Sequence, residues 1–191
     1  MLNTKLIQDV IEIILITRNF VVIPFFKNNI WEFLNKLSED LARWKIDVIV
    51  GLSPDASVIA SMLKAKIKSD CSVYNCERPQ INNDISVTHT DHELVIIDDG
   101  SKLSVPNNLF DLDKKSYIFL VDDFLLNGIP AGYLKRLLEV RGFENIKYIA
   151  LVELGTCGQG RILPDLVGGK FKGTSLKEIG IIFPWKNNEN N

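Results

Sequence analysis

Apolar residues fall in two rhythms along this chain. Between residues 29 and 45, Ile30, Leu34, Leu37, Leu41 and Trp44 recur every three or four positions. That spacing lines one face of a helix. From residue 47 onward, short unbroken apolar runs alternate with helical patterns. DVIVG (47–51), CSVYN (71–75), ELVIID (93–98), YIFLVD (117–122) and IKYIALVEL (146–154) read as five buried strands. Residues 55 to 67 read as a helix capped by Asp55, and residues 130 to 141 as a helix with Leu134, Leu137, Leu138 and Val140 as its apolar set. The dense run over residues 5 to 17 leaves helix and strand both open. Strands alternating with helices predict an α/β fold, a parallel sheet flanked by helices. Its right-handed crossovers put the site-bearing loops at the carboxyl ends of strands. Two such loops stand out, 51–57 and 122–131.

A length of 191 residues suffices for one core of ordinary size. We expect a single domain over 1–185, with a core at about 45–160. The segments 1–45 and 160–185 would form a small hood over the sheet's carboxyl edge. The polar tail 186–191, KNNENN, reads as disordered. Hydrophobic content of 46% and charged content of 24% fit a globular chain and exclude disordered and fibrous classes for the rest. The net charge of −2 carries no footprint for nucleic acid or an anionic membrane. Glu12, Arg18 and Asn19 interrupt the greasy run IEIILITRNFVVIPFF before it reaches the roughly 20 apolar residues of a spanning helix. The run also lacks a basic start and a small-residue cleavage site. Three cysteines, Cys71, Cys76 and Cys157, then read as reduced thiols of a cytoplasmic protein.

The chemistry concentrates in IFLVDDFLLNGIPAGYLKRLL, residues 118 to 138. Asp122 and Asp123 end a buried strand, where they face the ligand crevice of such a sheet. Asn127-Gly128 supplies a tight turn, since both residues tolerate positive φ. A helix N-terminus follows, and its free N–H groups suit a phosphate. Paired acids beside a phosphate site suit ribose hydroxyls or a phosphate-bound Mg²⁺, so the substrate class is a phosphorylated sugar. The bland alternative is that the acids cap the next turn and sit in water.

This stretch resembles the signature of type I phosphoribosyltransferases, in which a strand ends in two acids and a Thr-Gly loop before a helix. The resemblance implies that Asp122 and Asp123 hold the ribose hydroxyls of phosphoribosyl pyrophosphate (PRPP). It assigns Leu126, Asn127, Gly128, Ile129 and Ala131 to the loop around the 5′-phosphate, with Mg²⁺ carried near the two acids through PRPP. GLSPDASVIASML (51–63) sits where the family has its pyrophosphate loop, which implicates Leu52, Ser53, Pro54 and Asp55. ILPDLVGGKF followed by IGIIFPW is similar to the purine-salvage branch (hypoxanthine, xanthine, guanine). It implies base-binding roles for Leu166, Val167, Phe183 and Trp185, a nucleobase or nucleotide as the second ligand, and a homodimer.

The chain also departs from the family pattern. No Ser or Thr remains between residues 124 and 132, Pro130 has no N–H, and Leu126 stands where many purine enzymes place an acidic base. Glu153 stands where those enzymes often place a Lys, so it would accept from an amino group or ring N–H, or take a proton. The expected function is phosphoribosyl transfer from PRPP to a purine-like base. The alternative is a catalytically impaired sensor of PRPP or a nucleotide. His89 and His92 lack further metal ligands at site distance and read as a solvated loop, while Cys71 and Cys76 lack redox or zinc spacing and read as core or strand-edge thiols. His92 and Lys102 are also candidates for a mobile loop that closes over the site.

Overall fold

The computed structural model describes residues 15–17, 20–24, 27–78, 91–97, 102–125, 127–154, 162–171 and 179–182. Its elements in chain order are β1 (Leu15–Thr17), β2 (Phe20–Pro24), α1 (Lys27–Leu41), β3 (Val48–Gly51), α2 (Pro54–Ile67), β4 (Ser72–Asn75) and β5 (His92–Ile96). There follow β6 (Lys102–Pro106), β7 (Tyr117–Leu125), α3 (Ile129–Val140), β8 (Asn145–Leu154), β9 (Leu166–Phe171) and β10 (Ile179–Ile182). The expected α/β architecture is present. A five-stranded parallel sheet runs in the order β4-β3-β7-β8-β9.

The central strands are apolar on both faces because both faces are covered. Ile49, Phe119, Val121 and Ile149 point to one side, where α1 (Ile30, Leu34, Leu37, Leu41) and α2 (Ile59, Leu63) pack. Val50, Ile118, Leu120 and Tyr148 point to the other, under α3 (Leu134, Leu138) and the hairpin strands (Leu103, Val105). Each buried leucine of α1 contributes about 2 kcal/mol by area, which the helix's modest propensity for its Asn and Ser positions does not supply.

Several expectations shift. ELVIID does not join the parallel sheet; β5 pairs only with β6, as an antiparallel hairpin whose Val95 faces the core while Leu94 and Ile96 face out. The fifth sheet strand is β9, in the segment expected to lie in the hood. The helix α1 likewise packs on the sheet face rather than in a hood. Trp44 falls beyond α1 and packs edge-on against Phe119, with ring centroids 5.8 Å apart. Val140 is exposed, as the last residue of α3 on its outer side. The N- and C-terminal segments do meet: β1, β2 and β10 form a separate three-stranded sheet, with β2 and β10 parallel. Residues 5–14, the tail 186–191, and Phe183 and Trp185 lie outside the described residues. Among the described residues no helix is long and apolar enough to cross a membrane.

Candidate functional site

The two acids sit on β7, the middle strand of the sheet, flanked by β3 and β8. Alternation along the strand sends neighbours to opposite faces. Asp122 continues the row of Ile118 and Leu120; Asp123 continues that of Phe119 and Val121. Both are nearly fully buried, at 4% and 5% exposure, so neither sits in water and the solvated-cap alternative does not hold. Each acid has one oxygen held from the protein side. Tyr148 Oη donates to Asp122 Oδ2 at 3.3 Å. Ser53 Oγ donates to Asp123 Oδ1 at 3.2 Å. The remaining oxygen of Asp122, Oδ1, is buried and accepts from no N–H or O–H donor among the described residues. Arg78 Nη2 approaches it at 3.8 Å from a half-exposed side chain.

Electrostatics follow from this. Burial, then the neighbouring Asp123 charge and a hydrogen bond to it, push the Asp122 carboxyl from 3.8 up to about 8. Arg78 and the Tyr148 hydroxyl pull the other way and do not win, since the guanidinium is half in solvent and its charge is screened there. At neutral pH Asp122 therefore keeps its proton and can donate it toward Asp123. Burial and the adjacent Asp122 raise Tyr148 above the usual phenol range, so it stays a donor. A buried carboxyl oxygen without a donor fits a group that brings hydroxyls or positive charge. That donor chemistry is compatible with ribose and with a ligand-borne Mg²⁺.

The 51–55 loop is brought to this pair through Ser53. The cap of α2 is Ser53 rather than Asp55: Ser53 Oγ accepts from Ala56 N–H at 3.0 Å, and Pro54 takes the first helical turn. Asp55 lies inside that first turn. Leu52 does not reach a ligand; it is fully buried in the core and donates its N–H to Val121 O at 3.0 Å. Gly51 is required by close packing, since a Cβ there would lie 2.6 Å from the Ser57 Cα.

The loop after β7 is organised differently from a phosphate cradle built of hydroxyls. Asn127 Oδ1 accepts from Ile129 N–H at 3.0 Å, so one donor expected to face a phosphate is already engaged. Gly128 takes the left-handed conformation, φ 68°, as the cap of α3, with the Ile162 carbonyl oxygen 2.5 Å from where a Cβ would stand. Pro130 follows without an N–H. Ala131 is buried in the core, its methyl turned away from the loop. Leu126 lies outside the described residues.

Of the expected base-binding residues the structure describes Leu166 and Val167, both on β9. Leu166 is partly buried against the core cluster under α1. Val167 lies next to it on β9, half-buried. Glu153 pairs with Lys170 at 2.7 Å across adjacent strands, so its carboxylate already has a cation. Cys71 and Cys76 are buried, and burial pushes the Cys76 thiol up to about 12, far from a nucleophile's range. His92 opens β5 and meets Asp91 at 3.1 Å, while Lys102 opens β6. Among the described residues no three His, Cys, Asp or Glu side chains gather as a metal site. Two site residues had no signal in the sequence, Arg78 and Tyr148. Arg78 sits in a polar stretch, and Tyr148 in an apolar strand where it reads as core.

No family model matches the chain, and no curated protein matches it. Solved structures do. A purine phosphoribosyltransferase from Pyrococcus horikoshii is 19% identical over 86% of this chain and 93% of its own, with a TM-score of 0.60. An APRTase from Giardia lamblia, complexed with 9-deazaadenine, is 13% identical over 75% of this chain and 80% of its own, also at 0.60. A hypothetical protein from Neisseria gonorrhoeae with bound ppGpp is 14% identical over 88% and 90%, again at 0.60. At these identities the likeness is one of fold. The chain has the type I phosphoribosyltransferase fold that the acid-pair signature implies, with purine enzymes among its structural neighbours.

Proposed function

We propose that the chain binds PRPP with Mg²⁺ at Asp122, Asp123 and the 126–131 loop, and transfers its phosphoribosyl group to a purine-like base. The observation that carries this reading is the buried acid pair with one Asp122 oxygen lacking a donor. A ribose hydroxyl supplies the missing donor. In the step itself, the bond from ribose C1 to the pyrophosphate oxygen breaks and its electron pair leaves with pyrophosphate. The lone pair of a base nitrogen forms the new C1–N bond, and the proton on that nitrogen passes to water. Positive charge grows on the ribose ring meanwhile, and two preorganised carboxylates stabilise it. Mg²⁺ bound with the pyrophosphate would neutralise charge on the leaving group. Asp122 must ionise to take part, so ligand binding displaces its proton. Glu153 serves the base only if its ion pair with Lys170 opens. Leu166, Val167, Phe183 and Trp185 are the base-side candidates, and a homodimer is the assembly this reading carries.

A second reading is a binding protein of the same fold that senses PRPP or a nucleotide without turnover. The Asn127–Ile129 hydrogen bond and the Glu153–Lys170 pair favour it, because both occupy groups that transfer would use. The Neisseria protein with bound ppGpp is a nucleotide-holding neighbour in this sense. Incubating the full chain with Mg²⁺, PRPP and each of adenine, guanine, hypoxanthine and xanthine separates the two. Nucleotide plus pyrophosphate, lost in Asp123→Asn, supports transfer. A rise in melting temperature with PRPP but no product from any base supports the sensor. No rise at millimolar PRPP rejects both.

A further inference from the structure

We infer that Tyr148 is a positioning residue of the acid pair, holding the Asp122 carboxyl through Oδ2 so that Oδ1, buried beside Arg78, is the oxygen left for a ligand. This rests on the ribose-binding reading above. Opposite Asp122 on β8 stands Ala150, whose methyl leaves room beside the acid. Tyr148, two residues earlier on the same face, pairs with Leu120 and leans its ring into that space. The ring is buried, at 1% exposure, and packed in the core with Leu120, so the hydroxyl is held by the fold rather than by its own hydrogen bond. It donates to Oδ2. Among the described residues Asp122 has three polar neighbours: Tyr148 from β8, Asp123 from its own strand, and Arg78 from the segment after β4. Of these only Arg78 is half-exposed, so it is the neighbour a ligand can displace from Oδ1. The phenol cannot be displaced without opening the core. The carboxyl's rotation is thereby fixed, with Oδ2 committed to the phenol and Oδ1 left beside Arg78.

The bland reading is a core tyrosine whose hydroxyl takes the nearest acceptor. The two differ in selectivity. In the full chain, calorimetric titrations would compare ribose 5-phosphate with 2,3-dideoxyribose 5-phosphate, which lacks the 2- and 3-hydroxyls. The wild type should prefer ribose, and Tyr148→Phe should cut that preference about tenfold while leaving the dideoxy affinity unchanged. In an Asp122→Asn background, Tyr148→Phe should cut it no further, because the effect passes through Asp122. A melting temperature within a few degrees of wild type would show that Tyr148→Phe folds. Equal weakening of both sugars, an unchanged preference, or a loss that persists without the Asp122 carboxylate would each overturn the inference. A wild-type chain that does not distinguish the sugars would instead remove the ribose site itself, and this role with it.

Discussion

Replacing Asp122 by Asn tests the electrostatics of the acid pair without any ligand. The amide has the carboxylic acid's shape, keeps a donor toward Asp123 and never ionises. In the wild type the folded carboxyl titrates near 8, against 3.8 ordinarily. Between those values the folded state holds a proton that the unfolded state has lost. Stability must then fall as pH rises, by about 1.4 kcal/mol per pH unit where the difference is one full proton. From pH 5 to pH 8 the integrated loss is roughly 3–4 kcal/mol, because the unfolded acid is already mostly ionised at pH 5 and the folded one half ionised at pH 8. Asp122→Asn lacks this term. Urea melts of both chains at pH 5, 6, 7 and 8 give the comparison, and subtracting one series from the other cancels the histidines. The variant should gain on the wild type steadily with pH. Parallel curves would mean that Asp122 is ionised in the empty fold, and the account of a pair sharing one proton would be wrong.

Other expectations are quicker to state. Ser53→Ala removes both the cap of α2 and the donor to Asp123 Oδ1, so it should cost about 1–2 kcal/mol in denaturant melts and weaken PRPP binding as well; a stability loss with unchanged binding would separate the two roles. Gly128→Ala forces a side chain into the left-handed region and against the Ile162 carbonyl, and should cost on the order of 2 kcal/mol, read as a drop of several degrees in Tm. The double change Asn127→Thr, Pro130→Thr returns hydroxyls and one N–H to the loop. At roughly 1.5–3 kcal/mol per bond to a charged group, it should tighten PRPP at least tenfold by calorimetry; no gain would mean that the loop does not hold the 5′-phosphate. PRPP binding should also release up to one proton near neutral pH, visible as a dependence of the heat on the buffer's ionisation enthalpy.

The central sheet was legible because its strands advertise themselves. DVIVG and YIFLVD are apolar throughout, which is what a strand covered on both faces requires. β9 failed that test for a physical reason. Its Gly168-Gly169 pair reads as a turn, yet a Cβ at Gly169 would collide with the Phe33 ring of α1 and one at Gly168 with Leu151 O. Glycine there lets a helix approach a strand, which local propensity does not encode. ELVIID misled in the opposite way: its apolar outward residues Leu94 and Ile96 suggested a doubly covered strand. At the site, Asp122 and Asp123 were readable from adjacency at a strand end. Of their partners only Ser53 was, as a member of the 51–57 loop; Arg78 and Tyr148 were not. Ser53, Arg78 and Tyr148 reach the pair from 70, 44 and 26 residues away, by sheet order and packing alone.

The parallel pairing of β2 with β10 bears on how the chain is made. Pro24 and Ile182 are register partners, separated by roughly 160 residues of sequence. At a synthesis rate of about 5–20 residues per second, β2 leaves the ribosome some 10–30 seconds before its second neighbour exists. The five-stranded sheet can close as soon as β9 emerges, whereas the small sheet waits for β10. During that interval β2 presents one open edge to water, chaperones and other nascent chains. This strand is therefore where slow translation or a premature stop would first expose the protein to misassembly.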